Sequence, residues 1–298
     1  MSQYDKKTTA EQVVAGLDLA GRTYLVTGGT SGLGLESARV LIARGAQVLL
    51  TGRTLDKARA ATTPLGARCI PLALELEQPE SIVACATEVQ RLGMPLDGLV
   101  CNAGIMVVGE LRQVRGLEQH FAVNHLAHFL LVNRLLPQVQ AAPQGRVVVV
   151  GSSAYKWAPP AGIEFDNLAG TRDFTANKAY GQSKLANALF SLELARRLEG
   201  STTTSNSLNP GAVDTSLWRH YPKWQQALLA PVKGFLLKTP AQGAATQCYV
   251  ATAPALAGVN GQYFENCNAV LPPPQVRDAA LAQKLWSTSE ELLRDWLA

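Results

Sequence analysis

Short apolar runs alternate with stretches of helical period along most of the chain. Residues 22–27 (RTYLVT) are apolar and β-branched, which predicts a buried strand. A helical pattern follows over 33–43 and stops at Gly45, a residue suited to a helix C-terminus. Further strands are predicted at 47–51, 68–74, 98–102, 146–150, 203–208 and 261–264, with helices at 55–63, 79–92, 111–137 and 180–198. Strands that are apolar on both faces and alternate with helices imply a parallel sheet covered on both sides. The chain therefore reads as α/β: a doubly wound, seven-stranded, mostly parallel sheet with helices on both faces. No linker, internal repeat or low-complexity segment interrupts it, so residues 1–298 are expected to form one domain. Two stretches stand outside the alternation. Residues 1–20 read as a polar N-terminal arm, and about 214–240, too long for a simple connection, reads as a substrate lid or loop.

Composition narrows the class. Apolar content of 47% and charged content of 17% describe an ordered protein whose 298 residues can bury a substantial core. A formal charge of +4, spread over scattered Lys and Arg, leaves no nucleic-acid footprint. The five cysteines (Cys69, Cys85, Cys101, Cys248, Cys267) are odd in number and include no C-x-x-C pair. That spacing argues against a disulfide framework or zinc site and for a reducing compartment. Residues 1–20 hold no apolar h-region, and no run of 18 or more apolar residues occurs. A cytoplasmic protein without a membrane span is expected.

Two motifs carry chemistry. Thr27-Gly28-Gly29-Thr30-Ser31-Gly32-Leu33-Gly34 lies between a strand and a helix, where a pyrophosphate can approach backbone at a helix N-terminus. Gly28, Gly32 and Gly34 would give a tight turn, room for phosphates and close helix packing. The second strand ends in Thr51-Gly52-Arg53-Thr54, with no carboxylate before Asp56. A ribose hydroxyl calls for an acidic residue there and a 2′-phosphate for Arg, so Arg53 favours NADP(H) over NAD(H). In Tyr180-Gly181-Gln182-Ser183-Lys184 the phenol and ammonium stand one helical turn apart. A neighbouring positive charge favours phenolate, which makes Tyr180 a candidate general acid or base near neutral pH.

Taken in order, TGGTSGLG at 27–34, CNAG at 101–104, VNHLAHFLL around Asn124, VVVVGSSA, YGQSK at 180–184 and NPGAVDT at 209–215 resemble the short-chain dehydrogenase/reductase family. The likeness runs over nearly the whole chain. NHLAHFLL, AYGQSKLANALF, KTPAQGAATQCYVA and GQYFENC resemble its retinol-dehydrogenase-like branch. The resemblance implies one NAD(P)-binding Rossmann-fold domain and a catalytic tetrad of Asn124, Ser153, Tyr180 and Lys184. Tyr180 would pass a proton to or from the substrate oxygen and Ser153 would position that oxygen. Lys184 would lower the Tyr180 pKa and hold the nicotinamide ribose, and Asn124 would support a relay water. Ser152 is the rival hydroxyl; laying Gly151-Ser152-Ser153-Ala154 on the family's Val-Ser-Ser-x-Ala selects Ser153. Cofactor contacts are implied for Thr30, Ser31 and Leu33 beside the three glycines, for Arg53 and Thr54, and for Glu75 and Leu76, where an Asp is usual. They are implied too for Asn102, Ala103 and Gly104, where Cys101 replaces an Asn, and for Tyr180, Lys184, Pro210, Gly211, Val213 and Thr215.

The segment after that last turn carries aromatic residues, and Trp218 and Tyr221 join Ser153 and Tyr180 as expected substrate contacts. A second loop, 159–170, is expected to border the site. His125 and His128 lack metal-ligand spacing and read as helix packing. The expected activity is NADP(H)-dependent interconversion of a ketone or aldehyde with an alcohol on a fairly apolar small molecule. Reduction of an activated C=C bond on the same scaffold is one alternative. The other is a catalytically silent NADP(H)-binding sensor, which would be expected to have lost Tyr180 or Lys184. Helices 111–137 and 180–198 could pair in a homodimer or homotetramer.

Overall fold

The computed structural model describes residues 3–213 and 237–297. Its centre is a sheet in the order β10-β9-β8-β7-β4-β1-β2-β3. The strands are β1 (Thr23–Val26), β2 (Gln47–Gly52), β3 (Cys69–Ala73), β4 (Gly98–Cys101), β7 (Arg146–Val150), β8 (Thr204–Asn209), β9 (Tyr263–Glu265) and β10 (Asn268–Val270). All neighbours are parallel except β9 and β10. The remaining pair, β5 (Gln113–Val114) and β6 (Leu117–Glu118), forms a separate hairpin.

Alternation along the strands explains the two layers. Leu25, Leu49, Leu99, Val147 and Val149 face one core, shared with α4 (Pro79–Arg91), α5 (Ala127–Gln140) and α6 (Ala176–Arg197). Tyr24, Val26, Val48, Leu50, Val100, Val148 and Val150 face the other. That second core is closed by α2 (Gly32–Ala43) and by α8 (Ala245–Thr252), which follows the short α7 (Pro240–Gly243). Successive residues of a strand point to opposite faces, so a strand buried on both sides must be apolar throughout. The remaining helices are α1 (Ala10–Val13), α3 (Leu55–Thr62), α9 (Ala279–Leu292) and α10 (Arg294–Leu297). The α/β class, parallel sheet and two-sided helix cover are as expected.

Two details differ from the sequence reading. The sheet has eight strands, not seven, because Asn266 and Cys267 turn the chain with positive φ (49° and 60°) and return it as antiparallel β10. The helix expected from 111 does not begin there. Arg115 and Gly116 both take positive φ, 51° and 80°, which no right-handed helix admits, and they make the hairpin turn between β5 and β6. The helix starts at Phe121, wound as a π-helix to Leu126, and continues as α5 to Gln140.

The N-terminal arm is also built in. Thr9 caps α1 with a capping box, and Ala10, Val13 and Val14 pack with Val40, Ala244 and Cys248. α9 packs on α5 and α6. Trp286 packs on Phe129 at 4.8 Å and stacks on Phe190 at 5.8 Å, and Ser289 Oγ lies 2.9 Å from His125 Nε2. No helix among the described residues is long and apolar enough to cross a membrane.

Candidate active site

The cleft lies where β1 and β4 separate their crossovers, at the C-terminal edge of the sheet, the place an open α/β fold reserves for ligands. Its volume is about 400 Å³. One wall is the turn from β1 into α2. Gly28 takes φ 65° and Gly32 φ 57°, conformations a side chain resists. A Cβ on Gly28 would sit 2.9 Å from Ala103 Cα, and one on Gly34 would sit 2.6 Å from the Gly28 carbonyl oxygen and 2.7 Å from Asn102 Nδ2. Gly28 and Gly34 are therefore needed for close approach of two turns. Gly34 packs beneath the cleft, while Gly28, Thr30, Ser31, Gly32 and Leu33 line it. Ser31 precedes α2 without a side-chain cap bond, so the helix's first N–H groups remain available to an anion.

The opposite wall is Asn102–Ile105. Asn102 Nδ2 donates to Thr27 O at 2.8 Å, which ties this wall to the glycine turn. Farther out, Arg53, Glu75 and Leu76 line the cleft, and Arg53 Nε is 3.3 Å from Glu75 Oε2. Thr54 is not among the lining residues. Its hydroxyl accepts from Lys57 N at 3.3 Å and caps α3. Pro210, Gly211 and Val213 complete the rim. A nicotinamide dinucleotide fits these residues: a cradle that Cβ atoms would fill, an open helix N-terminus and a guanidinium at the outer end.

At the inner end stand Tyr180 and Lys184, both on α6, both buried and both lining the cleft. Lys184 Nζ donates to Val150 O at 3.2 Å and lies 5.7 Å from the centre of the Tyr180 ring. Burial pushes the ammonium down to about 8. Asn124 sits on the π-helical turn with its side chain engaged on all sides. Oδ1 accepts from Ile105 N at 2.8 Å, and Nδ2 donates to Ile105 O and Ser183 Oγ at 3.0 Å each.

The structure places the two serines differently. Ser152 lines the cleft and its hydroxyl accepts from Ala154 N at 3.1 Å. Ser153 is exposed and absent from the lining. β7 ends at Val150; Ser152 is the extended residue that caps the 3-10 turn Ser153–Trp157, and Ser153 is that turn's first residue. Thr215, Trp218 and Tyr221 lie outside the described residues.

Sequence reasoning missed three residues. His120 meets the Tyr180 ring edge-on at 5.9 Å; its Nδ1 donates to Glu118 Oε1 at 2.7 Å and its Nε2 accepts from Val107 N at 2.9 Å. Glu118 also accepts from His120 N and Phe121 N, so Glu-x-His just before a helix was the legible signal. Trp157 stands 6.4 Å from Tyr180 on another side. Lys238 Nζ donates to Pro210 O and Asn266 Oδ1, fixing the rim turn, and nothing in the local sequence marks it. No cluster of metal-ligating side chains occurs among the described residues.

Comparison with known proteins follows the same outline. The family model described as short chain dehydrogenase matches residues 22–226. A protein of Brassica napus, "Short-chain dehydrogenase TIC 32 B, chloroplastic", is 40% identical over 98% of this chain and 95% of its own length. Human retinol dehydrogenase 14 is 38% identical over 92% of this chain and 86% of its own. Among solved structures, the Pseudomonas aeruginosa RhlG/NADP active-site complex is 29% identical, with a TM-score of 0.67 over 83% of this chain and 95% of that one.

The buried ammonium predicts a stability cost with a defined pH range. Lys184 titrates near 8 in the folded chain against 10.5 for the free side chain, so folding pays for keeping its proton at every pH below about 8. The penalty is on the order of 1–3 kcal/mol and fades as pH rises towards 10.5. Lys184→Met keeps the volume, and Asn187 Nδ2 still reaches Val150 O at 3.3 Å. In the cofactor-free protein this variant should melt several degrees higher at pH 7 and lose most of that advantage by pH 10. A lower Tm at pH 7 would contradict the burial cost.

Proposed function

The chain belongs to the short-chain dehydrogenase family, and from that premise we propose that it is an NADP(H)-dependent oxidoreductase interconverting an apolar ketone or aldehyde with its alcohol. The observation that carries the reading is that Tyr180 and Lys184 share one cleft with the glycine turn. A bound nicotinamide dinucleotide supplies the hydride. The open N-terminus of α2 would hold its pyrophosphate, and Asn102–Gly104 and Lys184 would hold the riboses. Tyr180 gives a proton to the carbonyl oxygen in reduction and takes one from the hydroxyl in oxidation. Lys184 stabilises the phenolate that forms, and with a pKa near 8 it is still charged at neutral pH. Ser152 is the hydroxyl that orients the substrate oxygen, a role its position in the cleft supports over Ser153.

Arg53 supports the choice of NADP(H). Its partner Glu75 is 3.3 Å away, and the guanidinium is 63% exposed. Such exposed pairs are worth about 0–1 kcal/mol, so a phosphate can take over the guanidinium at little cost. The solved relative bound to NADP points the same way. An apolar substrate is supported by Trp157, a large apolar side chain left exposed beside Tyr180. The name of the human relative, retinol dehydrogenase 14, agrees with an apolar alcohol.

Titration with both cofactors tests the nucleotide reading. Wild type should bind NADPH more tightly than NADH. Arg53→Ala should weaken NADPH about 10–100-fold, the worth of a charge-assisted phosphate contact, and leave NADH unchanged. Equal affinities in wild type would remove the 2′-phosphate assignment. Steady-state kinetics separates the serines: Ser152→Ala should lower kcat by roughly 100-fold or more, while Ser153→Ala stays within about threefold. The reverse pattern would restore Ser153.

A further inference from the structure

A single imidazole closes a ring of hydrogen bonds beneath the cleft. His128, on α5, is 1% exposed. Its Nδ1 lies 3.0 Å from the Asn124 carbonyl oxygen and its Nε2 lies 3.0 Å from Thr27 Oγ1. A carbonyl only accepts, so Nδ1 carries the proton and Nε2 accepts from the Thr27 hydroxyl. Burial foremost, with the nearby Lys184 charge, pushes the imidazole down to about 4 against the bond to Asn124, so the ring is neutral at physiological pH.

Thr27 is thereby oriented. With its proton on His128, its lone pairs receive the N–H groups of Asn102 and Ala103, each at 2.9 Å. The Val100 carbonyl, at 3.3 Å, is the more distant claimant on that proton. At the far end of the same wall, Asn124 grips Ile105 through both its N–H and its C=O. The segment 102–105 is thus held at its start by Thr27 and at its end by Asn124. Among the described residues, His128 is the side chain bonded to both holders.

We propose that His128 is the positioning residue for the Asn102–Ile105 wall, coupling the glycine turn to the π-helical turn that carries Asn124. It touches neither cofactor nor substrate and acts through Thr27 and Asn124. The proposal rests on the reading that this cleft binds a nicotinamide dinucleotide. The Asn124 carbonyl, on the π-helical turn and one turn before His128, accepts the imidazole N–H.

Four proteins test it: wild type, His128→Phe, Thr27→Val and the double variant. NADPH affinity is read by fluorescence titration, and amide hydrogen exchange is read on the peptide spanning 102–105. His128→Phe and Thr27→Val should each raise the NADPH Kd about tenfold and speed exchange in that peptide. The double variant should be no worse than the worse single, because both changes cut one circuit. His128→Gln, which keeps a donor and an acceptor, should return Kd to within about threefold of wild type. Losses that multiply to about 100-fold in the double variant would overturn the coupling. So would a His128→Phe protein with lowered Tm but wild-type Kd and exchange, since plain packing gives that result. Should His128→Phe not fold, Thr27→Val and His128→Gln carry the test, and an unchanged Kd in Thr27→Val sinks the proposal. Wild type that binds neither NADPH nor NADH would instead refute the cofactor reading, and this inference with it.

Discussion

Two backbone turns at the C-terminal edge of the sheet approach each other more closely than side chains would permit, and the cleft depends on that approach. Gly28 faces Ala103, and Gly34 faces the Gly28 carbonyl and the Asn102 amide, at separations where a Cβ would collide. Asn102 then bonds Thr27 O across the gap. The approach leaves the α2 N-terminus open towards the cleft and sets Asn102–Ile105 as its second wall. Everything catalytic is referenced to that frame, since Asn124 is bound to Ile105 and Lys184 to Val150 at the adjacent strand end.

Electrostatics at the inner end follow from burial. A fully covered ammonium is costly, and the chain keeps one at Lys184, which donates to the Val150 carbonyl. Beside a phenol such a charge favours the ionised form, the use that the proposed proton transfer makes of it. Tyr180 is boxed between His120 and Trp157, and His120 is itself locked by Glu118 and Val107. Rings contact Tyr180 from His120 and Trp157, and the His120 tautomer is fixed by its two hydrogen bonds.

Much of this was legible because the strands are short and apolar on both faces, and because the glycine turn and the Tyr180–Lys184 pair have local signatures. What stayed hidden depends on contacts distant in sequence. The hairpin at 113–118 lies inside a stretch read as helical, and the positive φ of Arg115 and Gly116 breaks it. The eighth strand relies on Asn266 and Cys267 turning the chain, with Cys267 held by Thr246. Ser152 and Ser153 stand at the cap and first residue of a 3-10 turn after β7, a placement that a motif match does not show. His128 looked like helix packing because its partner Thr27 lies a hundred residues earlier, on the far side of the sheet's first crossover.

The most direct test of the account follows a label. Incubation with NADPH carrying deuterium at the nicotinamide C4, together with a panel of apolar aldehydes, ketones and conjugated enones, should yield an alcohol deuterated at the former carbonyl carbon. Tyr180→Phe should bind the cofactor and transfer almost none. Deuterium at the β-carbon of an enone would make the protein a C=C reductase, and NADPH bound tightly yet never consumed would make it a sensor. Either result would contradict the carbonyl chemistry assigned to this cleft.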